Sequence, residues 1–146
     1  MKKKIVTLVA FVILAVGTTF ANDNEINKNA LSAFSETFAK ATNVKWEKNS
    51  TYYAASFEMN GQSLTALLSE EGDMIAVSRS ILSTELPIHL QTTLAKNYSA
   101  YWISDLVEYA VGNETRYYIT VEDADKKVVL ESVNTYNWTL VKKIVK

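Results

Sequence analysis

The stretch Tyr53-Ala54-Ala55-Ser56-Phe57-Glu58-Met59-Asn60-Gly61-Gln62-Ser63-Leu64-Thr65-Ala66-Leu67-Leu68 consists of two alternating runs joined by Asn-Gly. In the first run Tyr53, Ala55, Phe57 and Met59 alternate with Ala54, Ser56 and Glu58, the period of a strand with one buried face. Asn60-Gly61 tolerates the positive φ angles of a type I′ turn, whose twist suits the strands it joins. Leu64, Ala66 and Leu68 then predict an antiparallel return over 62–69. Glu70-Glu71-Gly72-Asp73 reads as a second turn and 74–80 as a third strand, so the segment predicts a β-meander.

On the N-terminal side the period changes. Leu31, Phe34, Phe38 and Ala41 recur at three- and four-residue steps, a helical stripe with Asn29 as its expected N-cap and Asn43 as its end. Val44 and Trp46 alternate with Lys45 and Glu47, a short strand. After the meander, Ser83 or Thr84 is the expected cap of a second helix, with Pro87 in its first turn and Ile88, Leu90, Leu94 and Tyr98 as its stripe. Extended segments follow over 101–111, 116–122, 127–133 and 138–145, with turns at Gly112-Asn113 and Asp123-Ala124-Asp125.

The halves echo each other. Phe34 and Leu90, Phe38 and Leu94, and Trp46 and Trp102 are each 56 positions apart; Gly61 and Gly112 are 51 apart, and Gly72 and Asp125 are 53 apart. A deletion near the first hairpin of the second copy would reconcile these spacings. The competing reading is a coincidence between two amphipathic helices. The repeat predicts an α+β fold of two tandem units, 29–82 and 83–146, each a helix with antiparallel strands. About 50 residues make a marginal core, so the units are expected to pool one sheet, with both helices on one face and the other face open.

The chain has 146 residues. Lys2, Lys3 and Lys4 precede an apolar run from Ile5 to Val16, and Thr19-Phe20-Ala21 ends it with small residues at −3 and −1 of a cut after Ala21. This predicts a secretory signal peptide over 1–21; the run is short for a span of about 20 apolar residues, which disfavours the alternative of an uncleaved tether. Residues 22–28 are expected to be a flexible lead-in. The remaining 125 residues carry 12 basic and 16 acidic groups, a net charge of −4. Nucleic-acid binding is not expected on that balance, nor is membrane attachment after signal removal. Without Cys there is no disulfide, thiol chemistry or Cys-based zinc site.

Little announces catalysis. His89 is the sole histidine and no Gly-x-Ser-x-Gly elbow is present, so no hydrolase triad is assigned. Carboxylates cluster at Glu70, Glu71 and Asp73 and at Glu122, Asp123 and Asp125, without calcium-loop spacing; they read as solvated turns. No catalytic residue, metal ligand or cofactor is assigned. Aromatic pairs are more informative: Tyr52-Tyr53, Tyr101-Trp102 and Tyr117-Tyr118 each put one ring on either side of a strand. Tyr52, Tyr101, Trp102, Tyr117 and Trp138 are the candidate binding residues of the open sheet face. Cross-strand packing that only stabilises the sheet is the competing reading.

The leader, Phe34-x-x-x-Phe38, Val44-Lys45-Trp46, Tyr53-x-Ala55-x-Phe57, Asn60-Gly61, Gly72-Asp73 and Leu86-Pro87 with Tyr98 and Trp102 together resemble the PepSY-like, β-lactamase-inhibitor-like family of small exported bacterial proteins. The resemblance runs from about Leu31 to Lys143. It implies a tandem helix-plus-sheet architecture similar to the β-lactamase inhibitor protein, a periplasmic or secreted location, and binding through the concave sheet face. No inhibitory loop motif of that protein matches this chain, and its disulfides have no counterpart here. The expected function is a non-catalytic exported module that binds a protein or peptide of the cell envelope. An inhibitor of a secreted hydrolase (a peptidase or β-lactamase) and a small envelope enzyme with a carboxylate site are the alternatives.

Overall fold

The computed structural model describes Thr19–Phe20 and residues 25–146. The expected leader and the first residues of the expected lead-in lie almost wholly outside them. The described elements run β1 (Thr19–Phe20), α1 (Lys28–Thr37), β2 (Thr42–Lys48), β3 (Tyr53–Met59), β4 (Gln62–Leu68), β5 (Met74–Ser80), a 3-10 turn (Ser83–Glu85), α2 (Ile88–Asn97), β6 (Trp102–Val111), β7 (Glu114–Glu122), β8 (Lys126–Ser132) and β9 (Thr139–Val145). Each strand pairs antiparallel with the next, so the sheet order is the chain order. The β3–β4 hairpin closes as its turn chemistry dictates: Asn60 and Gly61 have φ of 54° and 76°, and Met59 pairs with Gln62.

Alternation along these strands sorts side chains onto two faces. On one face Ala30 and Phe34 of α1 bury Trp46, Tyr53, Ala55, Phe57, Ala66 and Leu68. On the same face Leu90 and Leu94 of α2 bury Leu106, Tyr117, Ile119, Val121, Val128 and Leu130. The registers Ala55↔Ala66, Ala66↔Val77 and Val77↔Ala110 carry this face continuously across the middle of the sheet. Phe34 anchors the first cluster, with ring contacts to Phe38 at 5.3 Å, Trp46 at 5.2 Å and Phe57 at 5.0 Å. The last two are edge-on, a geometry worth about 0.5–1.5 kcal/mol per pair beyond area burial.

Both helices begin differently from expectation. Asn27, not Asn29, caps α1: its side chain accepts the Asn29 N–H at 2.9 Å. Ile26 is already buried in the core, so the fold starts inside the segment expected to be flexible. Ser83 and Thr84 do not cap α2 but form the separate 3-10 turn, and Pro87 is the N-cap. Ile88 falls off the buried stripe and is 69% exposed, because Leu90 and Leu94 set the face.

The element starts give a spacing different from the 56 positions read between the two tryptophans. α1 and α2 start 60 positions apart, as do β2 and β6. Each helix ends alike, with Phe38 and Tyr98 donating to Phe34 and Leu94 carbonyls, and Ala41 and Tyr101 donating to Phe38 and Tyr98. Trp46 pairs with Ala55, and Leu106 pairs with Ile119. Sixty positions beyond Trp46 stands Leu106, not Trp102. Trp46 is 5% exposed under α1, whereas Trp102 is 52% exposed and lies on the opposite face, paired with Glu122. Gly61 closes the β3–β4 hairpin but Gly112 the β6–β7 hairpin, so these glycines occupy non-equivalent turns.

Lys127 and Lys146 each reach the Glu122 carboxylate at 3.0 Å. Hydrogen bonds from Ser104 and Lys146, with Lys127 adding its charge, hold the Glu122 pKa down to about 2 from 4.5. The ionised form is the stabilised one, so its contribution is complete above about pH 4.5 and is lost as pH falls toward 2. Glu122→Gln should therefore flatten the stability–pH curve between pH 4.5 and 2 in urea titrations and leave the slope above pH 6 unchanged. An unaltered acid limb would show that Glu122 does not carry it.

Candidate functional site

Both described helices lie on one face; the other curls around a cavity of about 590 Å³ over β2 to β6. One cross-strand row forms its floor and walls: Lys45↔Ser56, Ser56↔Thr65, Thr65↔Ser78 and Ser78↔Tyr109. A second row runs Glu47↔Ala54, Ala54↔Leu67 and Leu67↔Ala76. Small side chains in the middle and long ones at the ends make the hollow. Register shifts at Thr42/Lys45 in β2 and Leu67/Leu68 in β4 add the local twist that bends the sheet around it.

The floor is polar but internally paired. Ser56 Oγ and Thr65 Oγ1 lie 3.3 Å apart, and Ser78 Oγ donates to the Thr65 carbonyl at 3.4 Å. Beside it, Ala54, Leu67 and Ala76 form a small apolar cluster against which Tyr52 and Tyr109 pack. Burial raises the pKa of both phenols, reinforced by the charge of Glu47 at Tyr52 and of Asp105 at Tyr109. Both hydroxyls are therefore neutral hydrogen-bonding groups at physiological pH. Lys45, Glu47 and Glu58 add charge of both signs at the rim, and Glu58 accepts from Asn43 Nδ2 at 3.0 Å.

The sequence-expected binding residues separate into two groups. Tyr52 lines the cavity. Trp102 shares the helix-free face but stands outside the cavity, where Lys146 Nζ sits 4.9 Å from its ring. The other three belong to the helix side. Tyr117 is buried in the α2 core, Tyr101 packs against that core, and Trp138 does so too, donating its indole N–H to the Leu90 carbonyl at 3.1 Å. Within the Tyr117-Tyr118 pair the outward ring is Tyr118. It is 2% exposed, stacks edge-on against Tyr109 at 5.3 Å and donates its hydroxyl to Glu131. Burial, then the Glu131 bond, raises the Tyr118 pKa. Tyr109 is the cavity residue that sequence reasoning passed over. Its signal was present in the alternation of β6, once Leu106 is taken as inward.

His89 and Asp123 make contacts away from the cavity. His89 lies against the Tyr136 ring at 5.0 Å. Asp123 Oδ1 accepts the backbone N–H groups of Asp125 and Lys126, each at 2.9 Å. Among the described residues no three His, Asp or Glu side chains converge to hold a metal ion, and no helix is long and apolar enough to cross a membrane.

No family model matches the chain, and no curated protein does. Solved structures do. A BLIP-like protein of Bacteroides fragilis matches with a TM-score of 0.69 at 21% identity, over 82% of this chain and 86% of that one. A DUF2874 family protein of Bacteroides uniformis matches at 0.71 and 16% identity, over 81% and 88%. A candidate periplasmic protein of Bacteroides eggerthii matches at 0.73 and 14% identity, over 82% and 88%. At these identities the likeness speaks for architecture: the chain is an α+β protein with the BLIP-like fold.

Proposed function

We propose that this protein is a non-catalytic, exported binding module of two tandem helix-plus-four-strand units that holds a protein or peptide segment in the hollow of its sheet. The observation that carries the reading is the 590 Å³ cavity itself, opposite both described helices and walled by Tyr52 and Tyr109. Rigid rings with polar tips over a small-residue floor suit a partner's side chains, and mixed rim charge supplies orientation. The matching helix and strand registers at a spacing of 60 support the duplication. The basic, apolar and small-residue leader supports export, as does the likeness to a candidate periplasmic protein.

Ser56→Arg places a long charged side chain on the cavity floor. It is expected to cut partner retention in affinity capture from the producing cell's envelope at least tenfold. Tyr109→Phe, which keeps the ring packed on Tyr118 and removes only the hydroxyl, should cut it several-fold, with thermal unfolding close to that of the parent. Retention unchanged in both would overturn the reading. The BLIP-like likeness favours a second reading, inhibition of a secreted hydrolase by the same face. Titration against purified peptidases and β-lactamases tests it, and an unchanged rate at micromolar protein removes each candidate.

A further inference from the structure

One edge of the sheet is covered by a strand that export is expected to remove. Thr19 and Phe20 of β1 pair antiparallel with Lys48 and Glu47 of β2. Both lie upstream of the expected cut after Ala21, so cleavage takes β1 away and leaves β2 as the edge. Backbone alternation fixes which groups are then uncovered. The Asn49 N–H donates to the Tyr52 carbonyl at 2.9 Å, so the hydrogen-bonded pairs with β3 recur at Glu47↔Ala54 and Lys45↔Ser56. The N–H and C=O groups of Trp46 and Lys48 therefore point away from β3, toward the open edge.

That edge is complementary to itself. In an antiparallel pairing of two identical strands, facing residues must point their backbone groups the same way, so the two-fold axis passes through a residue. An axis at Trp46 sets Lys45 opposite Glu47 of the second copy, and Glu47 opposite its Lys45. These are non-hydrogen-bonded pairs, whose Cα atoms approach to about 4.5 Å. An axis one residue either way sets Lys45 against Lys45 or Glu47 against Glu47. Lys45 is exposed and Glu47 half-buried, and neither enters an ion pair among the described residues. The same axis brings the stem of Lys48 over Val44, which is 37% exposed. The other edge offers no such match. β9 carries Lys142 and Lys143 and no acidic residue, so a second copy there meets like charge.

We propose that the exported chain forms a symmetric dimer by pairing β2 with β2 of a second copy about Trp46, and that the leader blocks this pairing until it is cut. The inference rests on the reading of residues 1–21 as a cleaved leader. Lys45 and Glu47 line the sheet-face cavity, so the dimer joins two cavities along a shared rim.

The test is sedimentation equilibrium of the protein purified from the producing cell's envelope, with its N-terminus read by intact mass. A chain beginning at Asn22 is expected, forming a dimer with a dissociation constant of about 100 μM or below. Lys45→Glu and Glu47→Lys each set like charges face to face and should weaken the dimer about tenfold or more. Mixed in equal amounts, these two variants regain both opposite-charge pairs and should form a mixed dimer as tightly as the parent. Lys48→Glu makes the same change of net charge but faces Val44, so it should stay within about threefold of the parent. Should Glu47→Lys fail to fold, the contrast between Lys45→Glu and Lys48→Glu decides. A monomeric chain beginning at Asn22 would overturn the proposal and leave export standing. So would equal effects of Lys45→Glu and Lys48→Glu, or folded single variants that form no mixed dimer. A purified chain that still carries Thr19 and Phe20 would overturn the dimer and the leader reading together.

Discussion

Replacing Trp46 by Ala is expected to cost about 3–5 kcal/mol of folding stability, while the same change at Trp102 costs about 1 kcal/mol or less. Trp46 lies within β2 and Trp102 opens β6, yet only Trp46 is part of the core. Trp46 is 5% exposed, edge-on to Phe34, and wedged between α1 and Ala55. Its removal leaves a cavity that Ala30, Ala55 and Ala66 are too small to fill. Trp102 is half in water, and its one ring contact of note is the Lys146 ammonium. Equilibrium urea unfolding of the two variants measures the difference. Equal losses would contradict the assignment of the two rings to opposite faces.

Gly72→Ala is the second large effect, expected to destabilise by about 3 kcal/mol. Gly72 has φ of +93°, a backbone state that side-chain-bearing residues rarely adopt. Space compounds the strain, because a Cβ there would lie 2.7 Å from the Asn29 carbonyl oxygen and 2.9 Å from its carbon. Those are backbone atoms in the first turn of α1, so relief requires the helix to back away from the β4–β5 turn. Gly61→Ala makes the control. Its φ is +76°, but nothing lies within 4 Å of the added methyl, so backbone strain of about 1–2 kcal/mol is its whole expected cost. Similar losses at the two glycines would mean that the turn and the helix do not touch as described.

Local chemistry made much of this fold legible. Alternation and Asn-Gly placed β3 at Tyr53–Met59 and its return at Gln62, and the structure has the same bounds. Helix entry was less readable. Asn27 and Asn29 are equally good caps by type, and what selects Asn27 is the burial of Ile26 just before it, a tertiary effect. The spacing between halves was misread for a related reason. Identity of residue type drew Trp46 onto Trp102, but the two rings lie on opposite faces of the sheet. The core under α1 is built from the large rings of Phe34, Trp46 and Phe57 over alanines at 30, 55 and 66, and the core under α2 from Leu90, Leu94, Leu106, Ile119, Val121 and Leu130. Cores of such different side-chain sizes give little for residue type to match on within a single sequence.

Sidedness limited the reading of the site in the same way. A pair such as Tyr117-Tyr118 guarantees one ring per face but not which, since a single register step exchanges the two. For Tyr101-Trp102 the step is set by the irregularity between Ile103 and Asp105, where β6 shifts against β7 and turns Trp102 to the face opposite Leu106. Nothing in the local alternation announces it. Tyr52 was placed on the helix-free face because its neighbour Tyr53 belongs to an unambiguous buried series.

Site-directed photo-crosslinking in the producing cell's envelope puts the most direct question to the sheet hollow. A benzophenone side chain at Ser56 or Thr65 projects into the hollow, whereas one at Thr92 or Lys96 projects from the exposed side of α2. A discrete protein or peptide adduct from the first pair alone is the predicted result. Adducts from the α2 positions alone, or no adduct from Ser56 and Thr65, would contradict binding in the hollow of the sheet.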